Sequence, residues 1–113
     1  MFEITKDTIK INDVPTDVFA RDASCGSASL FVEAGTTGYR GLDKPRLESA
    51  RTYISVKSLG GDFWFRPIRE GDGEISGFRI VGCGDDCLEA LIKAADFIAK
   101  ALREQRARLD PLS

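Results

Sequence analysis

Residues 51–81 read RTYISVKSLGGDFWFRPIREGDGEISGFRIV, and this stretch decides the fold. Polar and apolar side chains alternate through its first part, so Thr52, Ile54 and Val56 share one face, as in a strand with one buried side. Pro67 cannot donate a hydrogen bond to a neighbouring strand, so its strand is expected at a sheet edge or with a bulge. The pattern predicts three consecutive antiparallel strands: Arg51–Lys57, Phe63–Arg69 and Ile75–Val81, joined at Gly60-Gly61-Asp62 and Gly71-Asp72-Gly73.

Shorter strands are predicted before this segment. Asn12-Asp13-Val14-Pro15 is a strong turn signal, and Ala28–Ala34 is rich in the β-forming residues of a central strand. A long loop is predicted from Gly35 to about Ser49, and loops of this length in a compact domain are usually functional or disordered. The other predicted strands are Phe2–Ile4, Thr8–Ile11 and Asp17–Arg21.

The C-terminal third is predicted to form one helix over residues 85–108, because aspartates begin it and arginines end it. Its apolar residues form two stripes rather than one. The first stripe, expected to cover the sheet, contains Leu88, Leu91, Ile92, Ala95, Ile98, Ala99 and Leu102. The second stripe, expected to bind another subunit in a homodimer or larger homo-oligomer, contains Ala90, Ala94, Phe97 and Ala101. A curved sheet that wraps the helix is the alternative.

Together these elements predict an α+β fold, with an antiparallel sheet of about five strands and one long C-terminal helix packed on it. One domain is expected over residues 1–113, with a β-rich part (1–84), the helix (85–108) and a tail (109–113). A chain of this length buries enough surface for a core of its own.

The composition removes several classes of function. The chain has no histidine, which excludes Ser-His-Asp and Cys-His catalytic pairs and histidine-rich zinc sites. We therefore expect no enzyme activity, metal or cofactor. The net charge of −2 disfavours bulk nucleic acid as a partner. No membrane span or signal peptide is expected. Three cysteines are an odd set, which favours a reducing compartment, the cytoplasm, and buried unreactive thiols.

The predicted long loop carries the most distinctive residues of the chain. Its glycines allow close backbone approach to a ligand, its threonines offer hydroxyl groups, and its arginine suits a phosphate group. A connecting loop without a ligand remains the alternative. Trp64 is expected in the core, although it could share the ligand's face of the sheet. The candidate ligand-binding residues are Thr36, Thr37, Gly38, Tyr39, Arg40, Arg51, Tyr53 and Arg66.

Two short motifs in this region carry a resemblance. GTTGYRG at Gly35–Gly41 and SARTYI at Ser49–Ile54, followed by the helix, resemble small uncharacterised proteins of Firmicutes and their phages. In design, the chain is similar to small phage proteins that form oligomeric, β-rich sponges for nucleotide immune signals. That resemblance implies an anti-defence role in the cytoplasm of a bacterial host. Related sequences carry a second glycine and Gly-His-Gly where this chain has Leu42-Asp43-Lys44-Pro45, so the identity of the ligand is not implied.

These observations predict a protein that binds and sequesters a small phosphate-bearing ligand, a nucleotide or cyclic nucleotide, without cleaving it. One alternative is an inhibitor or adaptor that binds a host protein through an edge strand or the acidic N-terminal segment. The other is a hydrolase that depends on a carboxylate such as Glu48 or Asp62.

Overall fold

The computed structural model describes residues 4–38 and 50–109, and this part of the chain has an α+β fold. It contains six strands and one helix, so the predicted class is confirmed, while the expected count of about five strands in one sheet is wrong. The elements are β1 (Thr5–Ile11), β2 (Val14–Cys25), β3 (Ala28–Thr36), β4 (Thr52–Gly60), β5 (Phe63–Arg69), β6 (Ile75–Gly82) and α1 (Asp85–Leu109).

Four strands form an antiparallel sheet in the order β1-β2-β3-β4. The connection between β1 and β2 is the predicted turn, and Asn12 and Asp13 both have positive φ, 47° and 68°. Those angles are typical of a type I′ hairpin, whose twist matches that of its strands. β3 lies between β2 and β4, which confirms the prediction of a central strand.

The helix α1 lies along β2 and β3 and closes the core on one face of the sheet. Its N-terminal end is attached to the turn between these strands, because Asp86 accepts hydrogen bonds from the backbone N–H of Ser27 (3.1 Å) and from its hydroxyl (3.3 Å). The core residues are Ala23, Ala28, Leu30, Val32, Ala34, Cys87, Ala90, Ala94, Phe97 and Ala101.

The second helix stripe, expected to bind another subunit, packs on the sheet instead, and Leu91, Ile98 and Leu102 of the first stripe pack against the same core. Ala90, Ala94, Phe97 and Ala101 are no more than 8% exposed and pack against the sheet, so they cannot form an interface between subunits. Small alanines let the helix approach the sheet closely, and the ring of Phe97 fills the space between them. The stripe that begins at Leu88 is the more exposed one.

The hairpin of β5 and β6 (residues 63–82), here called the arm, forms a separate two-stranded sheet. β4 does not pair with β5, so the expected run of three paired strands is wrong. Phe63 packs into the core at the root of the arm, and the Asp62 carbonyl accepts a hydrogen bond from the N–H of Cys83 (3.1 Å). These contacts attach the arm to the start of the helix and direct β5 away from β4.

Pro67 lies in the arm, where β5 has a partner on one side only and a register shift follows at Ile68/Arg69. This confirms the expectation of an edge or bulged strand. Trp64 lies on the same strand and is 46% exposed, so the expectation that it belongs to the core is wrong. Among the described residues, no helix combines the length and apolar character that a membrane crossing requires.

Candidate functional site

A network of hydrogen bonds joins the two ends of the predicted ligand loop. The N–H of Thr37 donates to the carbonyl of Arg51 (2.9 Å), and the N–H of Arg51 donates to the hydroxyl of Thr37 (2.9 Å). The hydroxyl of Thr36 contacts the Arg51 carbonyl (3.1 Å) and the hydroxyl of Thr52 (3.0 Å), and it accepts a bond from the N–H of Gly38 (3.1 Å). The threonines therefore close the neck of the loop.

The neck is attached to the helix by Gln105, which is 5% exposed. Its Oε1 accepts a hydrogen bond from the N–H of Thr36 (3.0 Å), and its Nε2 donates to the carbonyl of Asp17 (3.0 Å). One amide therefore links the end of α1 to both β2 and β3. Gln105 continues the buried stripe four residues after Ala101, and that spacing is the signal that sequence reasoning missed.

The predicted site residues lie in three places. Thr36, Thr37, Gly38 and Arg51 come together at the neck, where Nε of Arg51 also donates to the carbonyl of Ile11 (3.1 Å). Tyr53 lies on β4, paired with Gly35 of β3. Arg66 belongs to the arm, a different sheet. Tyr39 and Arg40 lie outside the described residues, as does Glu48.

The arm presents a face that combines arginine with aromatic and aliphatic side chains. Arg66 and Arg79 are direct cross-strand partners, so their side chains leave the same face of the hairpin. Trp64 and Val81 form the next pair on that face. Both arginines are exposed, and no carboxylate of residues 4–38 or 50–109 forms an ion pair with either of them. This face, the basic face of the arm, has an uncompensated charge of about +2.

A groove of about 570 Å³ runs between α1 and β2, which is the size of many ligand sites. Its apolar floor includes Phe19 and Phe97. Charges of both signs line its walls, so the groove has no clear preference for an anion. The charged residues are Arg21, Asp22, Lys93, Asp96, Lys100, Glu104 and Arg108.

The three cysteines differ in accessibility and are all free thiols. Cys87 is buried, and its Sγ lies 3.7 Å from the carbonyl of Asp62. Cys25 is partly buried and Cys83 is exposed, so the expectation that all three are buried is wrong. Within the described ranges, no cluster of three or more cysteine, aspartate or glutamate side chains could hold a metal ion.

Comparison with protein-family models, with curated proteins and with solved structures finds no match to this chain. Function is therefore inferred from the chemistry of the neck and of the arm.

Proposed function

We propose that this protein binds and sequesters a small phosphate-bearing ligand of the nucleotide or cyclic nucleotide class, without cleaving it. The observation that carries this proposal is the direct pairing of Arg66 and Arg79 on the exposed basic face of the arm. Like charges opposite each other on a hairpin destabilise it. A phosphate bound between the two guanidinium groups removes that repulsion.

The tryptophan beside the two arginines suits the base of a nucleotide, which the arginines do not contact. Trp64 lies beside Arg66 on the same face of the arm, two residues earlier in β5, and is 46% exposed. An aromatic ring beside two guanidinium groups can stack on a base while the arginines hold its phosphate, and stacking contributes about 1–3 kcal/mol per base. A nucleotide combines both groups, whereas inorganic phosphate uses only the arginines.

The neck of the loop has a supporting part in the proposal. Its threonine hydroxyl groups and the amides of Thr37 and Gly38 already take part in hydrogen bonds within the chain. We therefore assign them to holding the loop rather than to binding phosphate directly. Tyr39 and Arg40 remain predicted ligand contacts from the sequence. Three free thiols fit a reducing compartment, so the proposed place of action is the cytoplasm of a bacterial cell.

The test is a binding assay with a panel of linear and cyclic nucleotides, measured by thermal shift and by calorimetry. We expect Arg66→Ala and Arg79→Ala each to weaken binding by roughly ten- to a hundredfold, because each removes a charge-assisted hydrogen bond. Arg103→Ala is the matched control, since Arg103 is an exposed arginine on the helix. Trp64 is the single tryptophan, so stacking should quench the intrinsic fluorescence.

Two results would count against the proposal. One is the absence of a thermal shift with every nucleotide in the panel. The other is equal binding by the arm variants and the Arg103→Ala control. Chromatography of the ligand after incubation tests for cleavage, and we expect the compound to be recovered unchanged.

A further inference from the structure

The groove between α1 and β2 is bounded by two contacts that attach the helix to the sheet. At one end, Nζ of Lys93 donates a hydrogen bond to the carbonyl of Ser24 (2.8 Å). At the other end, Nε2 of Gln105 donates to the carbonyl of Asp17 (3.0 Å). Residues 93 and 105 lie about 18 Å apart along the helix axis, at a rise of about 1.5 Å per residue. The groove is therefore an elongated site whose two ends are fixed by the fold.

The floor of the groove is apolar because β2 and the helix each contribute apolar side chains to it. Phe19 and Ala23 point toward the helix, since they pair with the core residues Ala34 and Leu30 of β3. Phe97 lies on the buried stripe of the helix and completes the floor. The ring of Phe19 is only partly buried, so a ligand in the groove can cover apolar surface that faces water.

Arg21 lies on this apolar floor without an acidic partner. It points toward the helix because it pairs with Val32, another core residue of β3. Asp22 is next to it in sequence but points to the opposite face of the strand, so its charge is directed away from the floor. Arg21 is partly buried, and no carboxylate of the described chain forms an ion pair with it. A guanidinium group in this position favours a ligand that brings an anionic group to the floor.

The helix wall of the groove carries both signs of charge one turn apart. Lys100 and Glu104 line it four residues apart, which places their Cβ atoms about 5–6 Å from each other. Neither forms an ion pair with any described residue, and lysine before glutamate is the less favourable order for a helical pair. Asp96 lies farther from the sheet than Lys100, and Arg108 lies beyond the contact of Gln105. A ligand that pairs with this wall therefore needs a negative and a positive group.

We propose that this groove binds a short free peptide of two or three apolar residues as a zwitterion. The carboxylate pairs with Arg21 and Lys100, the N-terminal ammonium group pairs with Glu104, and the apolar side chains pack on Phe19 and Phe97. The volume of about 570 Å³ falls within the range of about 300–1,000 Å³ that is typical of small-molecule sites. The site shares no residue with the basic face of the arm, so this proposal does not depend on nucleotide binding.

The charges of the groove favour a zwitterion over two other ligands of similar size. A fatty acid has a carboxylate and an apolar tail, but it leaves Glu104 without a partner. A nucleotide has no positive group for Glu104, and its phosphate would lie near the carboxylates of Glu104 and Asp96. These two acidic residues therefore act against ligands that carry only negative charge.

Calorimetry on the full chain with phenylalanyl-phenylalanine, leucyl-leucine and trileucine tests the proposal. We expect at least one of these peptides to bind. Acetylation of its N terminus or amidation of its C terminus should each weaken binding by roughly ten- to a hundredfold, because each removes one charge. Arg21→Gln and Glu104→Gln should have effects of about the same size on the unmodified peptide. Arg103→Gln and Glu89→Gln are the matched controls, since both residues are exposed on α1 and do not line the groove.

Combining the modified peptides with the variants tests the orientation of the ligand. The acetylated peptide has no ammonium group, so Glu104→Gln should not weaken its binding further, whereas Arg21→Gln should. The amidated peptide should show the reverse pattern. Failure of all three peptides to bind at millimolar concentration overturns the proposal, and so does a peptide whose affinity neither variant changes. Tighter binding of decanoate than of every peptide also overturns it, because the groove would then select an anion with an apolar tail.

Discussion

Removing the two hydrogen bonds of Gln105 should destabilise the fold more than its place near the end of a helix suggests. Gln105→Met keeps the length of the side chain but can neither accept from the N–H of Thr36 nor donate to the carbonyl of Asp17. Thr36 is 8% exposed, so its N–H is left unsatisfied in the interior, at a cost of about 1–3 kcal/mol. The second lost bond adds about 1 kcal/mol.

The expected total is a loss of about 2–4 kcal/mol in the free energy of unfolding, which lowers Tm by roughly 8–16 °C in a chain of this size. Urea denaturation followed by circular dichroism measures it, with Arg103→Met as an exposed control on the same helix. Hydrogen exchange at the Thr36 amide should accelerate in the variant. If the free energies of unfolding of Gln105→Met and of the control agree within about 0.5 kcal/mol, the two hydrogen bonds of Gln105 do not stabilise the fold.

Two further outcomes are expected. Gly26→Ala should destabilise the chain by about 1–3 kcal/mol in the same urea assay. Gly26 has a φ of +56°, and an added Cβ would collide with the carboxylate of Asp86. An unchanged urea midpoint would contradict the close packing of this turn. Hydrogen bonds from Thr8 and Lys6 lower the pKa of Asp17 in the folded state. Its stabilising contribution is therefore present above its unfolded pKa of about 3.9 and is lost as the pH falls through the lower folded value. The Asp17→Asn variant should lose less stability than the unsubstituted protein when the pH falls below about 4. The same dependence of the free energy of unfolding on pH in both proteins would contradict this.

Local patterns in the sequence predict most of the elements, because side-chain periodicity and turn chemistry act within short segments. The strand Phe63–Arg69 has the predicted bounds, and the helix begins at the predicted Asp85. The pairing of strands depends instead on distant contacts. Gly60-Gly61-Asp62 is compatible with a hairpin between β4 and β5. The packing of Phe63 in the core and the hydrogen bond from the N–H of Cys83 to the Asp62 carbonyl direct β5 away from β4, so that it pairs with β6 instead.

Periodicity also leaves the orientation of the helix open. Both of its stripes are apolar, and the hydrophobic effect alone does not choose between them. Side-chain size decides, since a stripe built from Ala90, Ala94 and Ala101 packs more closely against β3 than one built from leucine and isoleucine. A small-residue stripe is therefore ambiguous in a sequence, because the same feature favours packing on a sheet and packing on another subunit.

The candidate site was only partly predictable for a related reason. Thr36 and Thr37 lie beside Arg51, but whether a hydroxyl group binds a ligand or a backbone carbonyl depends on its neighbours in space. The pairing of Arg66 with Arg79 follows from the register of the arm. Counting outward from Gly71-Asp72-Gly73 pairs Arg69 with Ile75 but would pair Arg66 with Phe78. The register shift at Ile68/Arg69 brings Arg66 opposite Arg79 instead, and turn chemistry alone does not predict that shift.

The arm makes ligand binding separable from the stability of the core. Arg66 and Arg79 lie on a two-stranded sheet that pairs with no strand of the four-stranded sheet, whereas Gln105 links the helix to β2 and β3. Arg66→Ala should therefore weaken nucleotide binding and change the free energy of unfolding by no more than about 0.5 kcal/mol. Gln105→Met should lower the free energy of unfolding and leave nucleotide affinity unchanged at temperatures where the chain stays folded. If Gln105→Met weakens binding as strongly as Arg66→Ala does, the ligand contacts the neck rather than the arm.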